Sequence, residues 1–358
     1  MPCDMKSVLI TGGCGFVGSS LALLCKERRP DSRIVCLDNL RRRGSELNIP
    51  RLKAAGIEFL HGDVRDRADL EAAGDIDLLV ECSAEPSVLA GYGASPDYVI
   101  DTNLTGAINC LELARGRGAA FVFLSTSRVY PMRVLNGLRL VETATRFELE
   151  PGQKIPGVTP NGFSEALPLE GARSLYGATK LAAELIIQEY VEMYGLRAII
   201  NRCGVLTGAW QFGKVDQGVV VLWVARHHWR KPLAYFGYGG TGKQVRDILH
   251  VADLHDLLER QIATIDDLSG QVFNVGGGRD VSVSLCELTA LCQAATGNTI
   301  HIEAVPENRA ADIPLYLTDN GRVTAATGWR PIRSPEAIVD EIARWIRDNQ
   351  AELAGILA

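Results

Sequence analysis

The sequence predicts an α/β protein built on a doubly wound parallel sheet, with a second, smaller α/β lobe appended. Three observations carry that reading. Residues 7–18, Ser-Val-Leu-Ile-Thr-Gly-Gly-Cys-Gly-Phe-Val-Gly, run a short apolar stretch into closely spaced glycines and then into an apolar-periodic segment, which is strand, tight turn, helix. Strand-like and helix-like segments then alternate for the first two hundred residues, the pattern of parallel strands joined by crossover helices. After Arg202 the loops lengthen and the strands shorten, which marks the second lobe.

In the opening turn, glycines at 12, 15 and 18 let the backbone bend sharply, approach a pyrophosphate and pack the helix on the strand, while the helix N-terminus offers free N–H groups. Gly13, Gly15 and Gly18 also fit the generic dinucleotide fingerprint. A second β run over 33–37 ends in Asp38, twenty residues after Gly18. A carboxylate there accepts hydrogen bonds from both adenosine ribose hydroxyls and repels a 2′-phosphate. The turn therefore reads as a Rossmann site whose cofactor is NAD in preference to NADP, although Arg41, Arg42 and Arg43 follow and an arginine nearby is how such sites sometimes accept the extra phosphate.

The third strand, 57–61, ends at Gly62-Asp63-Val64, and the fourth, 77–81, runs into Cys82-Ser83-Ala84. Strand C-termini face the ligand crevice in such sheets, so Asp63 is expected at the adenine and residues 82–84 as the cofactor's floor. A helix over about 94–115 contains Asn103, and the fifth strand, 120–125, leads into Ser125-Thr126-Ser127-Arg128. Residues 131–172 are rich in Pro, Gly and Glu without clear periodicity, and read either as a cover near the substrate or as a surface insertion. A helix over 174–194 stops at Gly195, and a sixth strand follows over 196–202.

A helix is expected over 217–228, and 244–250 and 272–275 look like returns to the main sheet. That divides the chain into a dinucleotide domain, 1–203 plus 244–277, and a discontinuous substrate lobe, 204–243 plus 278–358. The last helix, 334–348, aligns Ile338, Ile342, Trp345 and Ile346 on one packing face.

Apolar residues make up 47% of the chain and net charge is −6 with no basic block, so no nucleic-acid surface is expected. No apolar stretch precedes the first strand and none approaches a membrane span, which points to a cytoplasmic protein without membrane contact. Nine cysteines without a C-x-x-C pair read as reduced thiols, and the six histidines show no ligand spacing, so no metal is expected.

Of the nine tyrosines, only Tyr176 has a lysine four residues on, in Tyr176-Gly177-Ala178-Thr179-Lys180. On a helix that spacing puts both side chains on one face. Use of a tyrosine as a base near pH 7 requires roughly 4 kcal/mol of phenolate stabilisation. An adjacent ammonium and a positive nicotinamide ring can supply it, and Lys180 can also hydrogen-bond the nicotinamide ribose.

At this point the chain resembles the extended short-chain dehydrogenase/reductases, chiefly nucleotide-sugar epimerases and dehydratases. The matching residues are Thr11-Gly12-x-x-Gly15-Phe16-x-Gly18, Asp38-Asn39-Leu40, Gly62-Asp63, Asn103, Ser125-Thr126-x-x-Val129-Tyr130, Tyr176-x-x-x-Lys180, Arg246-Asp247-x-x-His250-Val251-x-Asp253 and Phe273-Asn274-Val275-Gly276-Gly277. The resemblance implies that Thr126 holds the sugar hydroxyl, Tyr176 moves its proton, and Arg246 and Arg309 grip the substrate pyrophosphate. It also implies cofactor contacts from Phe16, Val17, Asn39, Arg42, Val64, Asn103 and Cys203, a substrate contact from Ser87, and a homodimer or homotetramer assembled through the helices bearing Asn103 and Tyr176.

A narrower likeness lies in Gln211-Phe212, Asp216-Gln217-Gly218, Gly242-Lys243-Gln244-Val245-Arg246-Asp247, Asp38-Asn39-Leu40 with Arg42 and Gly44, and Gly328-Trp329-x-Pro331. These resemble the CDP-tyvelose (CDP-paratose) 2-epimerases, which implies a CDP-linked sugar oxidised at C2, turned over and reduced on its other face. A UDP-sugar 4-epimerase or a net nucleotide-sugar dehydrogenase of the same family is the alternative. Pro131 replaces a common glycine and Val205 a common asparagine. The 4,6-dehydratases carry Asp-Glu where this chain has Ser127 and Arg128, so a dehydratase would lack its acid and base.

Overall fold

The computed structural model describes residues 5–212 and 218–358, so Asp216 and Gln217 of the second-lobe motif lie outside the described residues. Seven strands form the main sheet: β1 (Ser7–Thr11), β2 (Arg33–Asp38), β3 (Glu58–His61), β4 (Leu78–Glu81), β5 (Ala120–Thr126), β6 (Ala198–Cys203) and β7 (Val272–Val275). Their spatial order is β3-β2-β1-β4-β5-β6-β7, with every pairing parallel. The doubly wound sheet expected from the alternation is therefore present, and its topological switch falls between β1 and β4, where the glycine turn and the floor residues 82–84 leave the sheet.

Successive side chains on each strand enter different layers. Ile10, Ile34, Val80 and Val122 pack with Leu21 and with Leu254 and Leu257 of the helix Val251–Ala263. Leu9, Val35, Leu79, Phe121 and Phe123 pack on the opposite face with Leu111, Ala183 and Ile187. Strands covered on both faces need apolar residues at both parities, which is why these runs do not alternate with polar residues. Truncating Leu9 or Leu79 to alanine would cost about 2–5 kcal/mol in such close-packed layers.

Three helices position the site: α1 (Phe16–Arg28), α2 (Gly106–Arg117) and α3 (Leu175–Tyr194). Ser174 starts α3 by accepting a hydrogen bond from Gly177 N, and Gly195 ends it in the left-handed region at φ +67°. The single helix expected over about 94–115 is instead a short turn, Asp97–Ile100, a π turn, Asp101–Thr105, and then α2. Such π turns widen the hydrogen-bond ladder and escape a periodicity count, yet they favour functional sites.

The segment expected as a return to the main sheet, Val245–His250, does not join it. It pairs in parallel with Val205–Thr207 and Leu315–Tyr316 and antiparallel with Ser282–Ser284, forming a separate sheet; the helix that follows it packs on the main sheet. Residues 131–172 also hold more structure than their composition suggested: a helix, Met132–Asn136, and hairpins Leu140–Glu142 with Phe147–Leu149 and Val158–Thr159 with Gly162–Phe163. Their Leu135, Phe163 and Leu167 bury against Val245, Leu315 and Leu317, so the segment is clamped to the second sheet. The helix Val219–His228 begins two residues after the expected 217, and Pro335–Asp348 buries Ile338, Ile342, Trp345 and Ile346 as expected.

Candidate active site

The glycine turn is built for a ligand's backbone-close approach. Gly12 sits at φ +62°, and a Cβ there would stand 2.9 Å from the Cys82 carbonyl oxygen; a Cβ at Gly18 would stand 2.3 Å from the Gly12 carbonyl oxygen. Neither position admits a side chain. Gly15 caps α1 with extended backbone and no side-chain hydrogen bond, which leaves the first-turn amides of Phe16 and Val17 for phosphate oxygens. A crevice of about 230 Å³ opens here, bounded by Gly12 and Gly15, by Asp38, Asn39 and Arg42 after β2, by Val64 after β3 and by Cys82, Ser83 and Ala84 after β4. Thr102 in the π turn lines it with a buried hydroxyl that has no protein partner. Glycine cradle, acid after β2 and orphaned hydroxyl together fit a dinucleotide.

Asp38 accepts from Cys14 N at 3.0 Å and Leu40 N at 2.8 Å, tying the carboxylate to the glycine turn. Burial nonetheless pushes its carboxyl above the ordinary carboxylate range. Asp63 accepts from Asn39 Nδ2 at 2.9 Å and from Arg65 Nη2 at 2.7 Å, and the Arg65 guanidinium holds it well below that range. In this arrangement it orients Asn39 at the crevice wall. Arg42 donates to Phe212 O at 2.8 Å, bridging the crevice to the second lobe.

Tyr176 and Lys180 share one face of α3 beside the C-terminal end of β5. The Thr126 hydroxyl faces the Tyr176 phenol, and its Oγ1 accepts from Arg128 N at 3.2 Å. Burial raises the phenol's pKa, while the Lys180 ammonium, Thr126 and Arg128 pull it down. Cys203 ends β6 beside this group with its thiol pushed up to about 12 by burial, so it stays neutral. Asn103 does not point its polar groups to the crevice; it donates to Glu85 O at 3.1 Å and Thr179 Oγ1 at 3.3 Å and accepts from Glu85 N, bracing the loop after β4 against α3. Ser87 accepts from Leu89 N at 3.2 Å within the same loop.

A second cavity, about 550 Å³, lies in the second lobe, and four arginines line it: Arg128, Arg226, Arg246 and Arg309. Arg246 is held by Asp312 Oδ1 at 2.9 Å and Ile313 O at 2.7 Å, and Arg309 lies over the Phe236 ring at 3.5 Å. Arg128 donates to Ala311 O at 3.0 Å; burial and the Arg246 charge lower its pKa to about 10. Four guanidiniums against two carboxylates, Glu303 and Asp312, leave a cavity of net positive charge suited to a multivalent anion.

Sequence reasoning noted Arg128 only as a departure and missed Tyr98, whose ring at the crevice lies 3.6 Å from the Arg41 guanidinium. It also missed Glu81, buried against Lys180. An acid ending an apolar strand was the available signal. Among the described residues one cluster, Cys25, His255 and Glu259, brings possible metal-ligand atoms within 4.8 Å of one another, but Arg29 donates to both Glu259 oxygens at 2.8 and 2.7 Å and closes it as an ion pair.

A glycine-cradled dinucleotide crevice, with a tyrosine and a lysine one helical turn apart on α3, fits a nicotinamide-dependent enzyme. Comparison with known proteins narrows the class: residues 8–276 match the NAD dependent epimerase/dehydratase family. CDP-paratose 2-epimerase of Salmonella typhi is 31% identical over 353 residues, covering 94% of this chain and 98% of that protein. UDP-glucose 4-epimerase of Neisseria meningitidis is 30% identical over 373 residues, covering 96% and 98%. The crystal structure of Thermus thermophilus UDP-glucose 4-epimerase in complex with NAD superposes with a TM-score of 0.75 at 25% identity, covering 95% of this chain and 99% of that one. The chain belongs to the NAD dependent epimerase/dehydratase family, and its cofactor is NAD. No helix among the described residues is long and apolar enough to cross a membrane.

Proposed function

We propose that the protein is a nucleotide-sugar 2-epimerase acting on a CDP-linked dideoxysugar of the paratose–tyvelose type. One observation carries the choice of epimerisation: Tyr176 faces Thr126 with Lys180 on its helix face, while the next two positions after the strand are Ser127 and Arg128. A proton-moving phenol is present and the carboxyl pair of an elimination is not. Bound NAD supplies the reversible two-electron chemistry. Thr126 orients the sugar hydroxyl, Tyr176 takes its proton as the carbonyl forms and gives it back on reduction, and Lys180 stabilises the phenolate. Turnover of the ketosugar requires a tightly held pyrophosphate and a loosely held ring. Arg246 and Arg309 are the pyrophosphate anchors in this reading, with Arg128 reaching toward the sugar.

The CDP-linked substrate is supported by the 31% identity to a CDP-paratose 2-epimerase and by the position of Gln211-Phe212. Phe212 is buried against Trp345 and carries the carbonyl that Arg42 grips, so this segment couples the cofactor crevice to the lobe that holds the nucleotide. The second reading, a UDP-sugar 4-epimerase, rests on the equally long Neisseria match. Assembly as a dimer through α2 and α3 is part of the proposal. The deciding experiment is an NMR and mass-spectrometric assay of CDP-, UDP-, GDP- and dTDP-sugars without added cofactor. Conversion of CDP-paratose to CDP-tyvelose is expected, and selective turnover of a UDP-hexose would replace this reading with the second.

A further inference from the structure

We infer that Glu81 is the positioning residue of this active site: its buried carboxylate is the fixed counter-ion that holds the Lys180 ammonium as a positive charge beside Tyr176. The inference rests on the tyrosine–lysine reading above and adds a third side chain to it.

Glu81 is the last residue of β4, immediately before the crevice floor, and Lys180 comes down on it from α3. Lys180 Nζ lies 3.2 Å from Glu81 Oε2, with the two side chains only 2% and 1% exposed. The ammonium also lies 3.9 Å from the centre of the Phe123 ring. The pair therefore spans sheet and helix in a site that bulk water barely reaches.

Burying an ion pair is a poor way to gain stability, because the desolvation cost of both ions offsets their attraction and well-packed apolar residues often do as well or better. A carboxylate ending an apolar strand thus asks for another reason, and the neighbour of its partner gives one. Lys180 stands one helical turn from Tyr176, whose phenol must become an anion. The groups facing Tyr176 are Lys180 on α3, Thr126 on β5, Arg128 in the turn after it and Cys203 on β6. Those facing Glu81 are Lys180, Cys82 and Ser83 after β4, and Cys110 on α2 shares its surroundings. Burial pushes all three thiols far up, so none supplies an anion near neutrality. Among the described residues, Glu81 is the only carboxylate within ion-pair distance of Lys180.

A nicotinium ring in the crevice would bring a second positive charge toward the ammonium. Without Glu81, the Phe123 ring face would be left to offset the cost of keeping a cation at that depth next to another cation, with no opposite charge among the described residues within ion-pair distance. With it, Lys180 stays both charged and in place, and the phenolate keeps its partner.

The test is a titration that needs no sugar turnover. Phenolate difference absorbance is followed with pH on the NAD-loaded protein as purified, in wild type, Glu81→Gln and Glu81→Asp, with Tyr176→Phe supplying the background of the other eight of the nine tyrosines. The Tyr176 component is expected about one pH unit or more higher in Glu81→Gln than in wild type, with Glu81→Asp between them because it keeps the charge. The acid limb of kcat/KM should move the same way while KM for the nucleotide sugar changes little. A Tyr176 component that coincides in wild type and Glu81→Gln, or falls in the variant, overturns the inference. Should Glu81→Gln fail to fold, the uncharged Glu81→Met, of similar length, decides by the same criterion. A wild-type protein inactive on every sugar would refute the epimerase reading and leave this titration unaffected.

Discussion

Arg202 on β6 meets Glu184 on α3 through a forked ion pair, Nη2 to Oε2 at 2.7 Å and Nε to the same oxygen at 3.0 Å, one helical turn beyond Lys180. Ser125, the residue before Thr126, donates to the same carboxylate, and Arg202 Nη1 donates to Tyr130 OH at 3.2 Å. Tyr130 in turn donates to Asn274 Oδ1 at 2.7 Å, so one buried network fixes the ends of β5, β6 and β7 behind the catalytic face. Glu184→Ala leaves the guanidinium buried without its partner and is expected to cost about 3–5 kcal/mol. Glu184→Gln, which keeps an acceptor, should cost less. Denaturant unfolding of both variants checks the order.

Tyr176→Phe removes only the phenol oxygen that the proposed mechanism uses, as phenolate, to take the substrate proton. Turnover is expected to fall by about 10²–10⁴-fold, the usual worth of a positioned acid–base group. The glycine cradle and Asp38 are untouched, so NAD released on denaturation should match wild type in amount. Normal turnover in this variant would remove the proposed base.

Asp247 links stability to pH. Its Oδ2 accepts from Gly278 N at 3.0 Å and Thr318 N at 3.2 Å, yet burial raises its pKa from 3.8 to about 6. A carboxyl whose folded pKa exceeds its unfolded value contributes stability below the unfolded value, and that contribution is lost as pH rises from about 4 through 6. A shift of this size corresponds to about 3 kcal/mol. Asp247→Asn keeps the acceptor and cannot ionise, so its stability relative to wild type should be greater at pH 8 than at pH 4. Unfolding free energies at the two pH values test this, and equal differences would refute it.

The sheet was legible because its strands are apolar runs punctuated by glycine and aspartate, and because a glycine turn admits few alternatives. The placement of Tyr176 and Lys180 was legible for a similar reason: a tyrosine and lysine four apart on a helix share a face wherever the helix packs. What spacing could not show was pairing between distant segments. Val245–His250 is apolar enough for the main sheet, and only its partners Val205–Thr207 and Ser282–Ser284 put it in the other one. Asn103 matched a motif, but its hydrogen bonds go to Glu85 and Thr179, a contact that depends on a π turn no periodicity announces. Glu81 escaped because its meaning comes from a lysine 99 residues away.

The α3 helix keeps four large apolar side chains in water, Leu175, Leu185, Met193 and Tyr194; Leu185 at 56% and Met193 at 65% are the most exposed and lie two turns apart. Exposed apolar residues at such spacing suit a helix-on-helix interface with a second copy of the chain. Leu185→Glu is expected to shift the protein to monomer in sedimentation velocity while leaving the far-ultraviolet spectrum unchanged. A wild-type monomer at micromolar concentration would end this expectation.

The proposed inversion at C2 has two chemical routes, and the arrangement around Tyr176 suits one of them. Direct deprotonation of carbon requires a base on one face of the sugar and an acid on the other. The described site offers a single phenol with Thr126, Lys180 and Arg128 around it, and Ser127 and Arg128 stand where a carboxyl pair would serve. Transient oxidation would need one acid–base group, the phenol, together with bound NAD as the acceptor of the C2 hydrogen and its electron pair, which would return to the same carbon after the ring turns. CDP-paratose deuterated at C2 should therefore give CDP-tyvelose that keeps its deuterium, and turnover in heavy water should place none at C2 of unlabelled substrate. Wash-out of the label at a rate matching epimerisation would establish carbon deprotonation and leave Tyr176 without the role argued for it.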